Sequence, residues 1–178
     1  MTAAHPNFAK ANLMILDTER ASARLVAGML SGFGVNNPFL VHDTDEANTL
    51  LGAGVADAAI VTMGRNADPV LDVIQKVRAI KAGIVRFMPI IVLTGDAQPG
   101  TIAMARDAGA NFVVRRPIAP AALYDRLIWA AYSEKKFVQS RTYCGPDRRF
   151  RDQGPPPGGE RRVLTKADPT RSQGFFEV

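Results

Sequence analysis

Asp57-Ala58-Ala59-Ile60-Val61-Thr62 is the stretch on which the fold turns. Four apolar residues in succession leave no polar face, so a strand here must be covered on both sides, as in a parallel sheet with helices above and below it. Working outward, Asn12-Leu13-Met14-Ile15-Leu16 is a similar run ending at Asp17, and Pro38-Phe39-Leu40-Val41 is a second. Met88–Thr94 contains Pro89-Ile90-Ile91-Val92-Leu93, and Asn111-Phe112-Val113-Val114 completes a set of five strands. Between them lie helical patterns. Leu25, Val26, Met29, Leu30 and Phe33 recur at helical spacing within 18–33, and Gly34 stops that helix. Further helices are predicted over 44–51, 69–82 and 99–108, the last ended by Gly109. Pro120 opens a final helix with Leu123, Leu127, Ile128 and Ala131 on one side. Five strand–helix units in about 125 residues predict a flavodoxin-like, doubly wound α/β domain, whose function gathers at the carboxyl ends of the strands.

Composition removes other classes. The chain has 178 residues, 47% hydrophobic and 22% charged, which suits one domain with an appendage and excludes wholesale disorder. No apolar run approaches the ~20 residues of a membrane helix. The polar first ten residues have no secretory h-region, and a cytoplasmic protein is expected. A single cysteine, Cys144, excludes an internal disulfide framework, and two histidines, His5 and His42, argue against a histidine-rich metal site. No Gly-rich phosphate loop or nucleophile–base spacing stands out, so no enzymatic activity is expected. The division predicted is an N-terminal extension over 1–10, a folded domain over 11–136 and an irregular tail over 137–178. Those last 42 residues hold five prolines, five glycines and seven arginines, a composition that buries too little apolar surface to offset its ordering entropy.

The loops after the strands carry Asp17-Thr18-Glu19, Thr62-Met63-Gly64, Thr94-Gly95 and Arg116-Pro117. In this ordered set the chain resembles a response-regulator receiver domain of the CheY-like family over about residues 11–135. The family pattern is an acidic pair, a phosphorylatable Asp, a Thr or Ser, and Lys-Pro, after the first, third, fourth and fifth strands. Here Asp17 holds the first acid and Thr18 replaces the second. Thr62 stands at the acceptor position ending the third strand, Thr94 keeps the switch hydroxyl, and Arg116 replaces the lysine before Pro117. Val113 occupies the place of the usual switch aromatic.

Those departures decide the chemistry. Aspartyl-phosphate formation needs a carboxylate nucleophile and a Mg²⁺ held largely by carboxylates. Thr62 offers a neutral hydroxyl with no adjacent base, and the metal site is reduced to Asp17 with Glu19 and a backbone carbonyl. The reading is a pseudo-receiver with no stable Mg²⁺, in which Arg116 supplies a fixed positive charge. Asp17 and Glu19 read more readily as carboxylates stabilised at a helix N-terminus than as a metal site. Met14 and Met88 read as core filler, His42 as a loop histidine bonded to backbone or water, and Trp129 as packing.

The tail carries a degenerate repeat. Gly145-Pro146-Asp147-Arg148-Arg149 returns as Gly158-Gly159-Glu160-Arg161-Arg162, with Tyr143 before the first copy and Phe150, Arg151 and Asp152 after it. An arginine fork pairs with phosphate and with the O6/N7 edge of guanine, while a neighbouring carboxylate accepts from guanine N–H groups. Two such units suit cyclic di-GMP. The expected ligand-binding residues are Tyr143, Asp147, Arg148, Arg149, Phe150, Arg151, Glu160, Arg161 and Arg162. A receiver without its phosphoacceptor and with an arginine-rich appendage is similar to the CheY-like cyclic di-GMP effectors, and that resemblance implies docking to a signalling or motor protein. A nucleic-acid tail is disfavoured by the interleaved acids, since bulk phosphate binding favours uninterrupted positive charge. A plain interaction module, docking a kinase or motor protein through the last helix and its neighbouring strand, remains the third reading.

Overall fold

A computed structural model describes residues 8–81, 83–132, 137–140, 143–147 and 163–165. Five strands, β1 (Leu13–Leu16), β2 (Phe39–Val41), β3 (Ala58–Met63), β4 (Ile90–Thr94) and β5 (Phe112–Arg115), pair in parallel in the order β2-β1-β3-β4-β5. The helices between and after them are α1 (Arg20–Ser31), α2 (Thr44–Gly52), α3 (Asp68–Ala79), α4 (Pro99–Ala108) and α5 (Pro120–Tyr132). This is the expected flavodoxin-like architecture.

Strand alternation builds two cores from each run. Leu13 and Ile15 of β1, Ala58 and Ile60 of β3, and Ile91 and Leu93 of β4 face α1 and α5, where they meet Ala23, Leu30, Leu123 and Leu127. Met14 and Leu16, Ala59 and Val61, and Ile90 and Val92 face the other layer, against Leu51, Ile74, Val77 and Ala105. Full burial of each such aliphatic side chain contributes about 1.5–3 kcal/mol, which is why runs without a polar face form the three central strands.

Several boundaries differ from the sequence reading. The third strand extends to Met63, so Thr62 lies inside it, opposite Leu93, rather than at its end. The fourth strand starts at Ile90 because a 3₁₀ turn over Val85–Phe87 precedes it and Pro89 has no N–H for a ladder. The N-terminal extension is not separate from the domain at Phe8. That ring is fully buried and meets Tyr124 edge-on at 5.8 Å, while Tyr124 stacks on Phe33 at 4.4 Å.

The tail adds a small sheet that the sequence reading did not predict. Three short strands, β6 (Phe137–Gln139), β7 (Cys144–Pro146) and β8 (Val163–Thr165), form an antiparallel sheet in the order β7-β6-β8. Phe137 and Val138 are 3% and 2% exposed. The averaged composition of the last 42 residues hid these local apolar positions, and their burial depends on a surface supplied by the body.

Candidate functional site

Four of the expected residues come to the carboxyl end of the parallel sheet. By strand alternation Asp17, Thr62 and Arg116 fall on the side of α1 and α5, whereas Thr94 falls on the side of α2 to α4. Asp17 is buried. Its Oδ1 accepts from the Glu19 backbone N–H at 2.9 Å, and its Oδ2 accepts from Ser22 Oγ at 2.6 Å. Arg116 Nη1 donates to Ser22 Oγ and lies 3.4 Å from Asp17 Oδ2. A chain of hydrogen bonds thus runs from Arg116 through Ser22 to Asp17. Because β3 and β4 lie between β1 and β5, this link passes across the ends of both intervening strands.

The remaining groups are turned to local work. Thr94 Oγ donates to the Asp96 carbonyl at 3.0 Å and accepts from the Asp96 N–H at 3.1 Å. Asp96 in turn accepts from Gln98 N–H and Thr101 Oγ at the start of α4. His42 Nδ1 lies 2.7 Å from the Asp17 carbonyl, the backbone partner expected of it. Thr18, Glu19 and Pro117 are exposed, and Glu19 makes no side-chain capping bond at α1. Thr62 Oγ is buried with no hydrogen-bond partner among the described residues.

This set does not fit a Mg²⁺ bound by carboxylates. Positions 18 and 62 carry hydroxyls, and the one buried acid, Asp17, is held by Ser22 and Arg116. Among the described residues no three His, Cys, Asp or Glu side chains are grouped to hold a metal ion.

Of the tail residues expected to bind a ligand, Tyr143 and Asp147 are described; Arg148, Arg149, Phe150, Arg151, Glu160, Arg161 and Arg162 lie outside the described residues. Tyr143 closes the β6–β7 hairpin. Its N–H donates to Ser140 Oγ, its carbonyl accepts from the Ser140 N–H at 2.8 Å, and its hydroxyl donates to the Pro146 carbonyl at 2.8 Å. Asp147 is half-buried directly after β7.

The sequence reading missed a second constellation at the opposite, amino end of the sheet. Arg78, on α3, is 3% exposed. Its Nε donates to the Gly109 carbonyl at 2.9 Å, and Nη1 donates to the carbonyls of Arg86 and Met88 at 2.7 and 2.8 Å. Nη2 donates to Asn111 Oδ1 at 2.8 Å, which also accepts from the Ile90 N–H. Burial pulls the guanidinium down to about 10, so it stays protonated at neutral pH. The Arg78 Cζ lies over the Phe137 ring, 5.1 Å from its centroid, and Phe87 meets Phe137 edge-on at 5.2 Å. Arg86 Nη2 donates to Gln139 Oε1 and lies 3.8 Å from Cys144 Sγ. One signal pointed here: Val70, Ile74 and Arg78 recur every four residues, which places a charge on the buried stripe of α3.

Comparison with known proteins agrees with this architecture. The chain is 24% identical over 130 residues to the sensory/regulatory protein RpfC of Xanthomonas campestris pv. campestris, covering 73% of this chain. It spans only 18% of RpfC's length. Among solved structures, the signal receiver domain of NarL from Mycobacterium tuberculosis superposes with a TM-score of 0.61 at 17% identity, covering 70% of this chain and 98% of that one. A response-regulator receiver domain from Bermanella marisrubri gives 0.54 at 21% identity, covering 66% and 94%. No protein-family profile matches the chain. The parallel sheet with its five helices therefore has the CheY-like fold of response-regulator receiver domains.

Proposed function

We propose that this chain is a receiver-type protein of two-component signalling that works without phosphoryl transfer. The observation carrying this reading is the Arg116–Ser22–Asp17 chain of hydrogen bonds, which occupies the one buried acid of the pocket. With Thr62 at the acceptor position there is no carboxylate to phosphorylate, and the protein is not an enzyme. Incubation with acetyl phosphate and Mg²⁺, followed by intact-mass measurement, tests it. The expected result is no added phosphate; near-stoichiometric phosphate on Thr62 or Asp17 overturns it.

The input in this reading is cyclic di-GMP, bound by the acid–Arg–Arg repeats. Support comes from the small sheet: β7 ends at Pro146, just before Asp147-Arg148-Arg149, and β8 begins at Val163, just after Glu160-Arg161-Arg162. Both strands pair with β6, Pro146 with Phe137 and Val163 with Gln139. Two strand spacings and two residue rises put these ends roughly 12 Å apart, so one compact dinucleotide could touch both repeats. Each charge-assisted contact is worth about 1.5–3 kcal/mol, so Arg148→Ala/Arg149→Ala is expected to weaken binding at least about tenfold. Calorimetry with cyclic di-GMP, GTP and random DNA decides the matter. DNA binding alone favours a nucleic-acid tail, and no binding at all favours a plain interaction module.

The output is a docked protein, such as a kinase or flagellar-motor component, in the cytoplasm. The face offered is that of β5 and α5, where Trp129 is 42% exposed and stands edge-on to Phe112 at 4.9 Å, with the Arg126 guanidinium 5.6 Å from the Phe112 ring. No helix among the described residues is long and apolar enough to cross a membrane.

A further inference from the structure

The Arg78 guanidinium is bound along its edges by the body alone. Its four acceptors are three backbone carbonyls and one amide oxygen, on the turn before β4 and on the turn between α4 and β5. With those donors engaged, an aromatic ring is the group that packs against a guanidinium without competing for its N–H donors. Phe137 takes that place, with the Arg78 Cζ over its ring at 5.1 Å from the centroid.

Beside this contact the two backbones touch without side chains between them. A Cβ on Gly109 would stand 2.8 Å from both the Arg78 Cγ and the Cys144 carbonyl oxygen, and a Cβ on Gly145 would stand 3.0 Å from Gly109 Cα. The hairpin therefore fits a socket whose floor is Arg78 and whose wall is the Gly109 turn. Its far strand, β7, runs directly into Asp147 and the first arginine pair.

The geometry points to a clasp. The β6–β7 hairpin has a docked and a released state, and occupancy of the acid–Arg–Arg repeats, the first of which immediately follows β7, shifts it toward the docked state. Docking covers Arg78, whose hydrogen bonds tie together the segments that enter β4 and β5, so the state of the tail reaches the face offered to a protein partner. The docking itself rests on described contacts; the trigger rests on the proposed cyclic di-GMP reading. A ligand that engages the repeats with β7 in its seat binds the docked form better and draws the equilibrium toward it.

Cys144 is the chain's one cysteine and sits on β7, so its thiol reports release. In the full chain, labelling by a thiol–disulfide reagent is expected to be at least about tenfold faster in Phe137→Ala than in the unmodified protein. Phe137→Leu keeps apolar bulk but removes the aromatic face. It is expected to label several-fold faster with unchanged far-UV circular dichroism, which separates release from unfolding. Equal labelling rates in the unmodified and Phe137→Leu proteins overturn the clasp. Saturating cyclic di-GMP, with binding verified by calorimetry, is expected to slow labelling at least about fivefold. Calorimetric binding with an unchanged labelling rate overturns the trigger and leaves the ligand reading intact. Absence of calorimetric binding overturns the ligand reading and with it the trigger, while the ligand-free comparison still decides the clasp.

Discussion

Arg116 and Asp17, 99 residues apart, are joined across the ends of two intervening strands, with Nη1 3.4 Å from Oδ2 and Ser22 bridging the pair. The guanidinium thus stands beside the one acid of this pocket that is buried, and engages it directly. Unlike a flexible lysine, it brings a planar, permanently charged group to that acid.

Restoring the nucleophile alone is therefore expected to fail. Thr62→Asp is expected to take up at least about tenfold less phosphate from acetyl phosphate than Thr18→Asp/Thr62→Asp/Arg116→Lys, because the introduced carboxylate and an Asp17 still paired with the guanidinium do not make a Mg²⁺ site. Intact-mass measurement after incubation with Mg²⁺ and acetyl phosphate checks this, and equal uptake by the two variants refutes it.

Removing the buried guanidinium of Arg78 strands its acceptors. Arg78→Met is expected to lower unfolding free energy by about 3–5 kcal/mol, since several buried carbonyls lose their donor at once. Arg78→Lys keeps a charge but cannot span the same acceptors, and is expected to recover less than half of that loss. Urea titration followed by circular dichroism measures both.

Two glycines with left-handed backbone separate strain from collision. Gly34 has φ 86° with open space around a notional Cβ, whereas Gly109 has φ 109° and two contacts at 2.8 Å. Gly34→Ala is expected to cost about 1 kcal/mol, the conformational part alone, and Gly109→Ala at least about 1.5 kcal/mol more. Similar thermal midpoints for the two variants would remove the tight fit at Gly109.

Phe8 anchors a segment that composition alone assigns to an extension. Phe8→Ala is expected to destabilise the protein by about 3–5 kcal/mol, while Phe39→Ala, at a ring 37% exposed, is expected to cost about 1 kcal/mol or less. Denaturant midpoints of the two variants check the contrast.

The sheet and its helices were legible because burial on both faces demands uninterrupted apolar runs, and runs such as Ala58–Val61 have no other use. The gathering of Asp17, Thr62, Thr94 and Arg116 at one end followed from their positions after successive strands. Ser22 was not legible as the bridge, since it joins Asp17 only once α1 has turned back over β1. Arg78 was not legible for a different reason: a charge near a helix end ordinarily reads as solvent-exposed. Phe137 and Val138 were masked by the prolines and glycines around them, because composition averages over a window while burial is decided at single positions.

The pocket of Asp17 and the socket of Arg78 stand at opposite ends of the same strands. β4 alone, five residues from Ile90 to Thr94, separates them by roughly 16 Å. At such a distance substitutions add rather than interfere. Heredity can therefore rewrite one end of this molecule while leaving the other in use, and a lineage that gives up chemistry at the first inherits the second unchanged.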